Sequence, residues 1–288
     1  VSEPPAPPPT PPAVVATDEA SATSRVILRR PGLFGDVLVI EEDGLRLLRF
    51  GSVDAADQSA IDPAAPDKLL FEYIRLTTIG PALRTDGRPF RRALALGVGG
   101  GAWPRLLLTT HPRVQIEAVE IDPAVVEIAR SHFALPESPR LKLIVDDAAR
   151  YVERPDVMTS RYDVILLDAF SGDAMPAALS TPAFFLALKR ILTDDGVLMV
   201  NVALVSQADA DAIVARIAAA FPGCSHVRAR LEENQVVFAG KRPLPPEAIR
   251  RAIARASVDV GFDVGRDVAA VEACPSAPLP AAPPDVPR

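Results

Sequence analysis

The sequence predicts an α/β fold: a mostly parallel sheet of seven strands that ends in an antiparallel hairpin, preceded by a small β-rich lobe. Three observations carry this. First, the apolar run 93–96 meets a glycine cluster at Gly97, Gly99, Gly100 and Gly101, then a helix-like stretch, then a second apolar run that ends in Glu120. That order is strand, tight loop, helix, strand, acid. Second, residues 162–167 are almost wholly apolar and end at Asp168, as expected of a strand buried on both faces of a parallel sheet. Third, strand and helix signals alternate regularly from Arg91 until 227–231, Glu232-Glu233-Asn234 and 235–239, which read as a closing hairpin.

Taken in order, residues 1–24 are rich in Pro, Ala, Ser and Thr and are expected to be a disordered tail, as are 274–288. Residues 25–85 read as a β-rich lobe with a linking helix. Val37, Leu38, Val39 and Ile40, the turn Glu42-Asp43-Gly44, and 45–50 form a hairpin pattern. A polar stretch holding Gln58 and Asp62 follows. Leu69, Leu70, Tyr73, Ile74, Thr77 and Ile79 are spaced for one helix over 68–83. The α/β domain then spans 86–242. Asp122-Pro123 starts a helix, with Asp as cap and Pro at the first helical position. Its buried face would hold Val125, Val126, Ile128, Ala129 and Phe133. Residues 141–145 form a strand ending at Asp146-Asp147. Ser180-Thr181-Pro182 opens another helix, Asp194-Asp195-Gly196 turns into the strand VLMVNV, and a helix over 207–221 precedes the hairpin. Residues 243–273 are expected to be a helical appendage.

Composition excludes several classes. A net charge of −6 argues against a nonspecific nucleic-acid binder. No window approaches an uninterrupted membrane-spanning apolar run. The stretch VSEPPAPPPTPPAVV has no basic region followed by an apolar block, so no secretory signal is recognised. Cys224 and Cys274 are expected to be free thiols in a reducing compartment, with a cytoplasmic location. The three histidines have no metal-ligand spacing, so no metal is expected. His111 and His132 read as surface residues near helix ends. There is no G-x-S-x-G elbow for a serine hydrolase, and the glycine run lacks the Gly-Lys-Ser/Thr ending of a phosphate-binding loop.

The chemistry resides at strand ends. Glu120, Asp147 and Asp168 each follow a predicted parallel strand, and ligands of open parallel sheets bind outside those ends. Glycines at 97, 99 and 101 let the backbone approach a ligand closely. Glu120 suits ribose hydroxyls, Asp147 an adenine amino group, and Asp168 the region of the reacting atoms. One acid at a strand end is commonly an ordinary helix cap; three in register with a glycine loop point to a nucleoside site. Gly97, Gly99 and Ala102 also fit G-x-G-x-x-A, which keeps a nicotinamide enzyme as an alternative. The acids after the next two strands and the closing hairpin weigh against it. Trp103 reads as packing, Phe170 as pocket lining or core, and Arg88, Arg91 and Arg92 as a solvated edge.

The segments LGVGGGAWPRLL, AVEIDPAVVEIAR, LIVDDAARYV, YDVILLDAFSGDAMP and FFLALKRILTDDGVLMVNV resemble the spermidine synthase (polyamine aminopropyltransferase) family. That family lies within the wider Rossmann-like class I methyltransferase fold. The likeness extends over about 25–242. It implies decarboxylated S-adenosylmethionine as co-substrate, a polyamine-type amine such as putrescine as acceptor, and a homodimer. It assigns ribose to Glu120, adenine to Asp147, the attacking amine to Asp168, and a nucleoside contact to Gln58. Two features depart from the family pattern. Ala102 stands where an acid usually holds the donor's amino group, and the second acid of the catalytic loop, Asp173, is displaced two positions. The loop DAFSGDAMP resembles a divergent, spermidine synthase-like branch. Asp168 would orient the amine while its proton leaves through water or Asp173. Methyl transfer from intact S-adenosylmethionine is the runner-up, and a non-catalytic nucleoside-binding scaffold the third reading.

Overall fold

The computed structural model describes residues 24–88, 90–170, 172, 174–203 and 206–275. The two expected tails therefore lie almost wholly outside the described residues, as does Asp173. Four antiparallel strands open the chain: β1 (Arg25–Gly32), β2 (Gly35–Glu42), β3 (Leu45–Phe50) and β4 (Asp57–Ile61), in that order across the sheet. The polar stretch around Gln58 is thus a strand. It pairs with the preceding strand β3, a pairing that its composition does not advertise.

The expected single helix over 68–83 is two short ones, α1 (Glu72–Leu76) and α2 (Ile79–Ala82). Pro81 has no amide to continue the helical ladder. Gly80 lets the segment sit against the sheet, since a Cβ there would lie 2.3 Å from Met199 Sδ.

The α/β domain follows as β5 (Arg92–Leu96), α3 (Ala102–Thr110), β6 (Gln115–Glu120), α4 (Pro123–His132), β7 (Leu141–Val145), α5 (Ala148–Val152), α6 (Pro155–Met158), β8 (Tyr162–Leu167), α7 (Pro182–Ile191), β9 (Leu192–Ala203), α8 (Gln207–Ala220), β10 (Gly223–Ala229) and β11 (Asn234–Gly240). α4 starts as expected: Asp122 Oδ1 accepts from the Ala124 amide at 2.8 Å, with Pro123 at the first position. α9 (Pro246–Val260) ends at Gly261 in the left-handed region, φ +75°. A 3-10 turn (Val264–Asp267) and β12 (Val268–Ala273) come next. The expected helical appendage is therefore helix, turn and strand, and the sheet has eight strands in the order β12-β10-β11-β9-β8-β5-β6-β7. β7, β6, β5, β8 and β9 run parallel, and β11, β10 and β12 add antiparallel pairings.

Alternation divides the core. Ala93, Ala95, Val164, Leu166 and Met199 pack on one face with residues of α2, α3 and α9. Leu94, Leu96, Ile165, Leu167 and Val200 pack on the other with residues of α5, α7 and α8. All six residues of β8 are buried, as its composition requires. The first sheet packs Val37, Val39, Leu48 and Ile61 against Val125, Ile128 and Phe133, which fixes the N-terminal lobe beside α4.

Cys224 and Cys274 form a disulfide, with Cα atoms 5.3 Å apart, so the expectation of free thiols is overturned. β12 pairs with β10 and the Cys274 amide donates to the Cys224 carbonyl at 3.2 Å, which brings the sulfurs together. Without β12 in view the pairing could not be seen. His111 and His132 stand at helix ends as expected, but they are half-buried, and burial pushes both imidazoles below the usual range.

Candidate active site

The glycine loop is held from three sides. The Gly97 amide donates to the Val119 carbonyl, and the Asp168 amide donates to the Leu96 carbonyl, both at 2.9 Å. Gly97 has φ +94°, and a Cβ there would lie 2.0 Å from the Asp168 carbonyl oxygen. Only glycine suits that crossing of the β5 and β8 ends. Gly101, at φ +74°, begins α3 in the left-handed region. The Gly100 amide donates to Ser59 Oγ of β4 at 2.8 Å, so the N-terminal lobe is pinned to the loop. Gly97→Ala is expected to lower stability by more than about 2 kcal/mol; thermal unfolding of the purified variant measures the loss.

Glu120 sits at the end of β6, beside the loop. Its Oε2 accepts from the Val98 amide at 3.0 Å and its Oε1 from the Asp122 amide at 3.2 Å. Burial pushes its pKa up, and these amides with that of Gly99 oppose the rise. A carboxylate only accepts hydrogen bonds, which is the capacity that ribose hydroxyls require of a partner. Asp147 is a helix cap whose second oxygen is left over. Its Oδ1 caps α5, accepting from the Ala149 and Arg150 amides at 2.7 and 3.1 Å, while Oδ2 accepts nothing among the described residues.

Asp168 follows β8. Its Oδ1 accepts from Asn201 Nδ2 at 2.9 Å, and Asn201 Oδ1 accepts from Asn234 Nδ2 at 3.0 Å. Burial lifts the Asp168 pKa to about 6; Asn201 and the Tyr73 hydroxyl work against the lift, and the charge of Glu120 adds to it. Burial, with the neighbouring Asp168 and Glu232 charges, in turn raises the Tyr73 phenol. Tyr73 is placed by an exchange of carboxylates. Glu232 accepts from the Glu72 and Tyr73 amides at 2.7 and 3.0 Å, and Glu72 accepts from the Leu231 and Glu232 amides at 2.6 and 3.3 Å. The negative charge at Glu232 also meets the orphan amides that open α1.

These groups share one cavity of about 620 Å³ between the N-terminal lobe and the sheet. Its wall includes Gln58, Gly97, Gly99, Glu120, Asp147 and Asp168. Gly101 stands behind the wall as the α3 cap. Ala102, Trp103 and Phe170 line it too, and Trp103 is also core at 3% exposure. Ser59, Tyr73, Asn201 and Asn234 were not anticipated. Asn201 alone left a trace in the sequence, as a polar residue inside the apolar strand VLMVNV. Tyr73 matched an apolar helix position and Ser59 lay in a polar stretch. Among the described residues no group of three or more His, Cys, Asp or Glu side chains is set to hold a metal.

Comparison with known proteins adds sequence and fold similarity to this picture. Residues 88–229 match the spermine/spermidine synthase domain family. A polyamine aminopropyltransferase of Vibrio vulnificus (strain CMCP6) is 33% identical over 180 residues, 62% of this chain and 59% of that protein. The chain thus spans about three fifths of the length of that relative. An eEF1A lysine and N-terminal methyltransferase of Mus musculus is 32% identical over 161 residues, 52% of this chain and 22% of that protein. In fold, the crystal structure of a probable spermidine synthase from Corynebacterium glutamicum ATCC 13032 superposes with a TM-score of 0.66 at 20% identity, over 83% of this chain and 95% of that one. Residues 88–229 are therefore similar to the spermine/spermidine synthase domain, and the chain has a Rossmann-like fold shared with methyltransferases.

Proposed function

We propose that the protein is a spermidine synthase-like aminopropyltransferase. It moves the aminopropyl group of decarboxylated S-adenosylmethionine to a polyamine-type amine and acts as a homodimer. The observation that carries this reading is the meeting of the glycine loop, Glu120, Asp147 and a half-buried, amide-held Asp168 around one cavity. Glu120 takes the ribose, Asp147 Oδ2 the adenine amino group, and Gln58 a further edge of the nucleoside. Glu232 and Glu233 line the same cavity and give a cationic acceptor an attractive field.

The amine nitrogen forms a bond to the carbon next to the sulfonium as the carbon–sulfur bond breaks. The bonding pair goes to sulfur, leaving neutral 5′-methylthioadenosine, and the nitrogen gives up a proton. The protein's part is alignment and stabilisation of the cationic amine. An alkylammonium near about 10.4 lies roughly six units above an ordinary aspartate. With Asp168 at about 6, the gap narrows to roughly four. Asp168 then serves chiefly as the charged partner that orients the amine, with water and Asp173 taking up the proton.

A carboxylate in that role must be ionised. A pKa of about 6 for Asp168 places the acid limb of kcat/KM near pH ~6, with activity falling as the pH drops through it. A profile flat down to about pH 4.5 would remove Asp168 from the reaction.

Methyl transfer is the second reading. The named methyltransferase relative and the uncharged Ala102 in the cavity wall favour it. Incubation with intact and with decarboxylated donor, each with a panel of amines, separates the two by product mass. An aminopropyl gain from the decarboxylated donor supports the proposal. A methyl gain from the intact donor overturns it in favour of the second reading, and no transfer from either points to the scaffold.

A further inference from the structure

The turn between β1 and β2 carries Leu33 and Phe34, which are 59% and 61% exposed. Two large apolar side chains at the tip of a hairpin lack a solvation rationale. The tip is nonetheless held firmly at one place. The Leu33 amide donates to Asp122 Oδ2 at 2.7 Å. A Cβ on Gly32 would lie 2.4 Å from that same oxygen, so the hairpin backbone lies directly on the α4 cap. Asp122 in turn donates its amide to Glu120 Oε1 at 3.2 Å. Two hydrogen-bonded steps therefore link the hairpin tip to the carboxylate that faces the ribose. Phe34 lines the cavity together with Phe50 and with Ile121, the residue between Glu120 and Asp122.

We infer that Phe34 is a nucleobase-binding residue: its ring closes the adenine end of the cavity from the N-terminal lobe, with Ile121 as the opposing wall. This rests on the nucleoside reading of the site. The physical warrant is position and exposure together. Ile121 follows Glu120 directly in the cavity wall, so a purine attached to a ribose held by Glu120 is within its reach, and among the described residues the large exposed ring anchored next to that strand end is Phe34. Stacking on an aromatic face suits any purine, so Phe34 supplies affinity, while Asp147 supplies the choice of adenine. Gly35, at φ +114°, lets the chain reverse immediately after Phe34 and keeps the ring over the cavity.

The test is calorimetric titration of 5′-methylthioadenosine into the wild-type protein, Phe34→Ala and Phe34→Tyr, with Leu33→Ala as a neighbour of similar exposure. Unfolding temperatures are measured alongside to confirm that each variant is folded. Phe34→Ala should weaken binding about tenfold to a hundredfold. Phe34→Tyr should stay within about threefold and Leu33→Ala within about twofold of wild type. Equal affinity in wild type and Phe34→Ala would overturn the inference and leave the nucleoside reading standing. An equal loss in Leu33→Ala and Phe34→Ala would also overturn it, because the tip rather than the ring would then be what matters. Absence of binding to the wild-type protein would overturn both.

Discussion

Asp168→Asn is expected to lower kcat by about a hundredfold to ten-thousandfold while donor affinity stays nearly unchanged. The amide keeps the shape of the carboxyl group and a hydrogen bond to Asn201, which holds Asp168 at 2.9 Å, but it cannot offset the positive charge of an attacking amine. In the proposed function donor binding rests on Glu120, Asp147 and the glycine loop, so it should not respond. The same variant makes a prediction about stability. Burial raises the Asp168 pKa from 3.8 to about 6, so its charged form is disfavoured in the folded protein. Below pH ~3.8 both states are protonated and no penalty exists. As the pH rises toward ~6 the unfolded chain ionises first, and the folded state loses about 3 kcal/mol. At neutral pH Asp168→Asn removes that loss, so the inactive variant should unfold at a temperature equal to or above that of wild type. Chemical denaturation at pH ~7 and turnover under saturating donor are the two measurements. A variant that is active, or one that is inactive only because it is destabilised, contradicts the role.

Breaking the Cys224–Cys274 bond should have the largest effect on stability. The sequence separation is 50 residues, and closing a loop of about that length removes roughly 4 kcal/mol of unfolded-state entropy in the chain-entropy treatment. For a folded part of this size that corresponds to a fall of about 10 °C in Tm. The bond fastens β12 to β10 at the edge of the sheet. The 3-10 turn before β12 carries Asp267, which pairs with Arg75 of α1 at 2.8 Å, in the same short helix as Tyr73. Loss of the bond therefore loosens the support behind the Tyr73–Asp168 pair as well as the edge strand. Reductant should lower the Tm of the wild-type protein and leave Cys224→Ser unaffected; an unchanged Tm in both would show that the bond does not form. The cytoplasmic location was expected on the strength of free thiols, and the bond removes that support. A disulfide persists most readily in an oxidising compartment, and alkylation of thiols in protein drawn directly from its host would show which state is populated there.

Local pattern was enough for much of the fold. The apolar runs at β5, β6, β8 and β9 and the glycine cluster were legible because a parallel strand is buried on both faces and its loop must turn at once. The α4 start was legible because Asp and Pro each have a local reason to be there. The split ahead of Pro81 was also local and was outweighed by the apolar spacing around it. β4 and β12 were not legible. Both are short, β4 is largely polar, and each exists because a partner strand offers a free edge.

The site divides in the same way. Gly97, Gly99, Glu120, Asp147 and Asp168 could be named from the chain because the ends of parallel strands converge by construction, and acids at or just past those ends fall at that convergence. Gly101 belongs to the same loop but acts as a helix start rather than as cavity wall. Ser59, Tyr73, Asn201 and Phe34 reach the cavity through contacts such as Leu33 to Asp122, 89 residues apart, and the disulfide depends on a strand pairing of the same long-range kind. Periodicity along a chain fixes which residues face a core and where strands stop. Which distant side chains then meet is decided by how the N-terminal lobe, α1 and β12 pack on the finished sheet, and that depends on shape and burial that no local pattern encodes.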